Sequence, residues 1–440
     1  MKTYLREGIS RREFLWLTAL SSAGLMAGCA TDPVTGKAQF MLVSEGQEIS
    51  IDKTNSPHQF SSDYGPVQDS DLNRYIDDAG KTIAQQTHRP QMPYSFRAVN
   101  ATYVNAYAFP GGSIAVTRGI LLAIDNEAEL SALLGHELGH VNARHTAQQM
   151  SKGMLTQAIV GGVSVLAGTQ GAALGSMASQ LGAIGAGALL ASYSRDNERE
   201  ADALGMEYMV EVGYSPKGMV GLMEVLQSLS KQKPSAIELM FATHPMSEER
   251  YQTAVQTANS KYKSDLNRPI YRERYLDNTA RLRAQKGALE ELQKGQKEMG
   301  KKNFAQADAH FRKALKKAPN DYVGLIMMST NKMLQKNWVV GVQYAEMAQK
   351  VYPQEAQAYH LSGFAKIQLK NYEGAYEEFK TYERVLPGNP NTIFFRGYAL
   401  EGMKRFPEAA NEYRRYLQAV QQGKYAQHAY VRLREWGYVR

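Results

Sequence analysis

Three patterns of apolar and polar positions divide the chain. In the first, Lys2, Arg6, Arg11 and Arg12 precede an apolar run from Phe14 to Ala27. That run is too short to span a bilayer but long enough for the core of an export signal. The second pattern, over residues 45–265, mixes helix and strand periods. Asp125 and Asn126 can cap a helix, with Glu129 in the reciprocal capping position and Leu130, Leu133 and Leu134 as its apolar stripe. Ser194 and Gly213 bracket another helix. Between them in kind, Pro110-Gly111-Gly112 make a turn, and Ser113–Thr117 alternate apolar and small residues as a strand does.

The third pattern is a repeat of period 34. Asn303-Phe304, Asn337-Trp338, Asn371-Tyr372 and Arg405-Phe406 recur in step. Ala307, Gly341, Ala375 and Ala409 follow in register, then Phe311, Ala345, Phe379 and Tyr413. Gly295, Ser329, Gly363 and Gly397 take a close-packing position, and Pro319, Pro353 and Pro387 close three of the units. Small residues where paired helices touch, aromatics in the core and proline at the exit turn make this the tetratricopeptide pattern. Four repeats are expected over 288–423. Lys424–Arg440 then reads as a capping helix, with Tyr430, Leu433 and Trp436 covering the last unit. Leu266–Gly287, charged and helix-prone, reads as one connecting helix. Such an array specifies a binding surface and leaves the partner open.

Composition narrows the class. A chain of 440 residues, 43% hydrophobic and 21% charged, suits two or three folded domains and excludes a polytopic membrane protein. Its net charge of +8 is uneven. Residues 288–440 hold 24 Lys and Arg against 15 Asp and Glu, so the remainder is close to neutral. With no run of like charges and no nucleic-acid motif, this reads as a solvated helical surface, with no nucleic acid as partner. One cysteine excludes an internal disulfide and any thiolate-rich metal site. That cysteine, Cys29, ends the segment Leu25-Met26-Ala27-Gly28-Cys29, which resembles a bacterial lipobox although Met26 stands where Leu is usual. Ser10-Arg11-Arg12-Glu13-Phe14-Leu15 resembles a twin-arginine export signal. Residues 1–28 are thus expected to be a leader, Cys29 the lipidation site, and 29–44 a tether. By the enterobacterial lipoprotein sorting rule, Ala30 points to the outer membrane, on its periplasmic side.

The candidate chemistry centres on His136-Glu137-Leu138-Gly139-His140. Residues four apart on a helix lie about 40° around the axis, so both imidazoles can face one metal, with Glu137 beside them as a possible base. Position 146 is Thr, so a third His at the metzincin spacing is missing. A continuous helix would carry His145 about 180° from His136, away from the metal. The acidic stretch Asn197–Asp202 can supply the third ligand. Glu198 and Asp202 share a face, whereas Glu200 lies about 200° from Glu198. Glu198 is preferred because only it makes the four-residue step to Asp202.

Here the chain resembles the HtpX/BepA-type gluzincin metallopeptidases. The resemblance implies one zinc ion per chain held by His136, His140 and Glu198, with Glu137 as catalytic base and Asp202 orienting a ligating His. It implies that Ile114, Ala115, Val116 and Thr117 form an edge strand that holds substrate by main-chain hydrogen bonds. Phe241–Pro245, followed by Arg250, matches a family segment whose His, here His244, stabilises the oxyanion or takes the open metal position. Relatives with membrane domains place spans where this chain has Ser151–Leu190. Gln157, Gln170, Ser176 and Gln180 interrupt its apolar runs, so a mobile cover over the cleft is expected instead. The expected architecture is α+β, mainly α with a small sheet: a gluzincin-type domain over 45–265, then a tetratricopeptide solenoid. The implied function is an endopeptidase degrading misfolded or stalled envelope proteins, with unfolded polypeptides as substrates. Its repeats would recruit substrate or the outer-membrane β-barrel assembly machinery. The rival reading is a chaperone or adaptor with a latent peptidase domain.

Overall fold

The computed structural model describes residues 29–160, 193–232 and 238–439; the expected leader and most of the Ser151–Leu190 cover lie outside them. The expected lipidation of Cys29 likewise concerns a side chain outside the description. Residues 29–44 are not a loose tether. Strand β1 (Cys29–Thr31) pairs antiparallel with β2 (Ala38–Phe40). Met41 and Val43 then bury against Ala147, and the Leu42 amide donates to Ser151 Oγ at 2.9 Å. Apolar side chains on alternate residues dock this segment, which a reading centred on export overlooks.

Helix α1 (Glu45–Ser62) starts in a capping box between Ser44 and Gln47. Helix α2 (Ser70–Ala84) is capped by Asp69 and buries Leu72, Ile76 and Ile83. The sheet comprises β3 (Ser95–Val99), β4 (Ala106–Ala108) and β5 (Ser113–Thr117), in the order β3-β5-β4. β3 runs parallel to β5, and β4 antiparallel to it. The Pro110-Gly111-Gly112 turn forms, with Gly112 at φ 101°, where L side chains are disfavoured. The placement of β5 corrects one expectation. Ile114–Thr117 is the central strand, paired on both sides, and has no free edge to offer a substrate; the outer strands are β3 and β4.

Helices α3 (Arg118–Ala123), α4 (Glu127–Asn142) and α5 (His145–Val160) follow. Beyond the gap come α6 (Arg195–Glu211), α7 (Lys217–Gln232), α8 (Glu238–Thr243) and α9 (Glu248–Asn259). Asn126 caps α4, and Glu129 returns the bond to Asp125 N. Every residue of α4 is buried, so it is the central helix of the domain. Its contact with α6 has almost no side chain in it. A Cβ added to Gly205 would stand 2.7 Å from His136 N, and one added to Gly139 would stand 2.9 Å from Ala201 Cα. At the far end of α4, buried Glu48 joins Arg89 at 2.6 Å and Arg144 at 3.0 Å, and Arg89 donates to Val141 O. This cluster ties α1 to the end of the central helix.

The expected single connecting helix is broken. Tyr271 adopts φ 48°, α10 (Arg272–Asn278) and α11 (Ala280–Ala284) are short, and α12 (Lys286–Gly300) opens the array. Tertiary bonds hold the pieces. Fully buried Tyr275 donates to Leu121 O at 2.7 Å, Arg283 donates to Ile124 O at 2.6 Å, and Arg274 pairs with Glu127. The chain follows the domain surface, which a straight helix could not do.

The array alternates α12, α13 (Phe304–Lys317), α14 (Tyr322–Leu334), α15 (Trp338–Val351), α16 (Gln357–Gln368), α17 (Tyr372–Val385), α18 (Pro390–Gly402) and α19 (Phe406–Ala419), and ends in α20 (Lys424–Glu435). Its four intra-repeat turns are alike. Lys302, Lys336, Lys370 and Lys404 all sit near φ 60°, and Asn303, Asn337, Asn371 and Arg405 each donate to the carbonyl five residues back. This is a Schellman closure with lysine in the usual glycine place. Small residues admit the aromatics as expected: a Cβ on Gly363 or Gly397 would lie 2.8 Å from the Phe379 or Tyr413 ring. In the capping helix, Leu433, Ala426 and Ala429 are buried and Trp436 stacks on Tyr413, while Tyr430 is partly exposed.

The array docks on the peptidase-like domain through buried polar contacts. Arg118 and Asp321, 4% and 6% exposed, pair at 2.6 Å, while Asp321 also caps α14. Glu355 accepts from Ser61 Oγ, and Gln357 donates to Ser61 O. Tyr64 packs between apolar residues of the first repeats.

Two predictions follow from this packing. Gly205→Ala forces α4 and α6 apart, since the clash is with backbone; it should cost about 1–3 kcal/mol in chemical denaturation and weaken metal binding. Burial pushes the Glu355 carboxyl up to about 7. The folded state therefore holds more protons than the unfolded chain between the ordinary 4.5 and about 7, and stability falls as pH rises through that window. Wild type should lose urea stability relative to Glu355→Gln between pH 5 and 8; parallel profiles would contradict the assignment.

Candidate metal centre

His136 and His140 project from one face of α4, and the glycine contact brings α6 near enough for Glu198 to meet them. The two imidazole Nε2 atoms lie 3.1 Å apart. Glu198 approaches them with Oε2 at 3.6 Å from His136 and Oε1 at 3.3 Å from His140. His244, at the end of α8, adds Nδ1 at 3.0 Å from Glu198 Oε1 and 3.4 Å from His136 Nε2. Four buried ligand atoms, one from each residue, fall within 4.8 Å of one another. Three imidazoles and one carboxylate without thiolate suit a borderline divalent cation, and lone pairs converging at about 3 Å call for a positive charge between them.

The outer partners are specific. Asp202 Oδ1 lies 2.9 Å from His136 Nδ1, on the side away from the cluster. Arg250, from α9, grips Asp202 with two bonds of 2.7 Å and reaches Glu198 Oε2 at 2.6 Å. Burial alone would raise the Glu198 and Asp202 pKa values. For Glu198 the surrounding histidines outweigh it, and for Asp202 Arg250 and His136 do, so both carboxylates are held below their ordinary range. Burial drives His140 well below the ordinary imidazole pKa, which favours the neutral form that ligates. For His244 the balance reverses: burial lowers its pKa, but Glu198 and Glu137 outweigh it and raise it. Glu137, from the same turn of α4, is 1% exposed, and burial raises its pKa. Its Oε1 lies 3.8 Å from His244 Nε2, and Oε2 has no hydrogen-bond partner among the described residues.

The structure thus gathers His136, Glu137, His140, Glu198, Asp202 and His244, and leaves Ile114–Thr117 inside the sheet. Glu200 points elsewhere, to His145 at 3.1 Å. His145 in turn stands 2.9 Å from His140, because α4 ends at Asn142 and the helical phase used to place it no longer applies. Sequence reasoning gave no role of their own to three further residues. Tyr193 stacks on His140 at 3.8 Å, and no local pattern marks it. Arg250 was noted only as part of a segment, though a cation six residues after His244 is the natural partner for two buried carboxylates. Asn105, fully buried at the mouth of β4, has neither amide atom hydrogen-bonded among the described residues.

Comparison with known proteins gives the following similarities. Residues 70–258 match peptidase family M48. The metalloprotease YcaL of Escherichia coli (strain K12) is 38% identical over 160 residues, 36% of this chain and 60% of its own. The beta-barrel assembly-enhancing protease of Yersinia pestis is 29% identical over 229 residues, 49% of this chain and 46% of its own. The chain therefore spans about half the length of the curated relatives it matches. Among solved structures, the TPR domain of Arabidopsis OM64 is similar at 25% identity and a TM-score of 0.25, over 25% of this chain and 92% of that one. No described helix is long and apolar enough to cross a membrane. With the HExxH helix, the Glu198 helix and the 34-residue helical pairs in place, residues 70–258 are similar to peptidase family M48 and are followed by a tetratricopeptide-type array.

Proposed function

We propose that the chain is a zinc-dependent endopeptidase that degrades misfolded or stalled envelope proteins, its repeats recruiting substrate or assembly partners. The observation that carries this reading is the convergence of His136, His140, Glu198 and His244 beside a buried Glu137 oxygen with no hydrogen bond among the described residues. Zinc held by His136, His140 and Glu198 would supply Lewis acidity toward the scissile carbonyl and the attacking water. Glu137 takes the proton of that water and returns it to the leaving amine, and its raised pKa suits both transfers. Asp202 fixes the His136 ring, and Arg250 neutralises the acidic side of the site. His244, drawn toward the proton-bearing form by two carboxylates, can donate to the oxyanion when it swings out of the cluster.

The substrate strand is reassigned from Ile114–Thr117 to the outer strand β4 and its flanking Asn105, which can offer main-chain groups and a side-chain amide with no hydrogen bond among the described residues to an extended polypeptide. An unfolded substrate fits that mode, because a folded one has no free strand. The leader-like residues 1–28 and Cys29 support export and a lipid anchor, on the periplasmic face of the outer membrane. The named role of the beta-barrel assembly-enhancing relatives supports outer-membrane β-barrel assembly machinery as the partner of the array.

One observation favours a second reading in which the peptidase rests latent and the repeats act as a chaperone or adaptor. His244 lies within the ligand cluster and fills a position a substrate carbonyl would need.

Purified mature chain should bind about one zinc and cleave casein. Glu137→Gln should retain the metal and lose at least about 100-fold in cleavage, the usual scale of a general base. Cleavage unchanged by Glu137→Gln sinks the peptidase reading; lost cleavage with intact cellular function favours the chaperone reading. Removing zinc with a chelator should lower the melting temperature as well as activity, since the three ligands come from two separate helices, α4 and α6.

A further inference from the structure

We propose that His145 and Glu200 form a hydrogen-bonded relay that fixes the tautomer and ring orientation of the ligand His140, making both positioning residues of the metal centre. The inference rests on the zinc-centre reading above. His140 turns Nε2 into the cluster, 3.1 Å from His136 Nε2 and 3.3 Å from Glu198 Oε1. A neutral imidazole that offers its Nε2 lone pair to a cation must carry its proton on Nδ1. That nitrogen faces His145 Nδ1 at 2.9 Å. Two ring nitrogens at this distance need one donor and one acceptor, so His145 accepts there. Its own proton is then on Nε2, which lies 3.1 Å from Glu200 Oε2. Donor and acceptor roles thus run in one direction, from His140 through His145 to a carboxylate.

The two α4 ligands are supported differently. Asp202 reaches His136 directly. On the His140 side the carboxylate is one imidazole further out, with a side chain 35% exposed, while that of His145 is completely buried. The fold places His145 by breaking the helix. Arg144 adopts φ 58°, an uncommon conformation for a non-glycine residue, and is held there by Glu48 and Val43 O. That turn cancels the phase that would carry His145 to the far side. Tyr193 closes the remaining side, with its ring stacked on His140 and its hydroxyl 3.0 Å from Thr146 Oγ1. A carboxylate–imidazole chain behind a ligand raises its basicity and limits its rotation.

The test is chelator competition for zinc on the full mature chain, with the visible spectrum of the cobalt-substituted protein as a second readout. His145→Phe keeps a ring in place but leaves His140 Nδ1–H without an acceptor; zinc affinity should fall about 10–100-fold. Glu200→Ala, at a half-exposed position that tolerates truncation, should weaken zinc binding and alter the cobalt spectrum. Glu200→Gln keeps an acceptor oxygen and should restore both. Wild-type affinity in Glu200→Ala, or a Glu200→Gln variant as weak as Glu200→Ala, overturns the relay. The Glu200 pair decides the matter if His145→Phe does not fold. Affinity is read without substrate, so a wild-type chain that binds zinc yet leaves casein whole defeats the peptidase reading and not the relay.

Discussion

Everything at the metal centre depends on how closely α4 and α6 approach. Gly135 and Gly139 on one helix meet Gly205 and Ala201 on the other, with backbone against backbone. At ordinary helix separations of about 8–10 Å the facing side chains set the distance. Here their absence lets a short Glu198 side chain reach two imidazoles on the neighbouring helix. Burial of the whole of α4 then makes each polar contact count, because an unpaired charge in such a setting is costly.

The partners around the cluster follow from that cost. Two carboxylates buried side by side would repel, and Arg250 answers both at once. His136 is backed by Asp202 and His140 by an imidazole in turn backed by Glu200. The same rule operates at the other end of α4, where Glu48 sits between Arg89 and Arg144. It recurs between the domains, where Arg118 meets Asp321. Buried ion pairs are weak evidence for stability, but they do fix registry. In this chain they fix α1 against the end of the central helix and the array against α3. The repeats are therefore anchored to the preceding domain rather than strung from it.

Legibility varied with the range of the interaction. The HExxH face, the Glu198–Asp202 step, the cap at Asn126 and the period of 34 residues are local, and each follows from helix geometry alone. His145 shows where that method stops. Its placement assumed an unbroken helix, and the αL turn at Arg144, held by Glu48 nearly a hundred residues away, broke it. The strand Ile114–Thr117 was identified as a strand but misplaced in the sheet. Its central position depends on β3, which pairs with it from 18 residues earlier in the chain. The connector fails as a single helix for the same kind of reason: Tyr275 and Arg283 take their partners from the peptidase domain.

The sequence by itself determined the chemistry on offer: two imidazoles and a glutamate on one turn, a carboxylate pair on another, no thiolates to compete, and a helical array of known period. Such features need only neighbours three, four or thirty-four residues away. The tertiary structure alone decided which strand is left at the edge, and that Arg250, Tyr193 and His145 surround the cluster. Those outcomes rest on close packing and on charge neutralisation in a dry interior, and both are set by residues far apart in the chain.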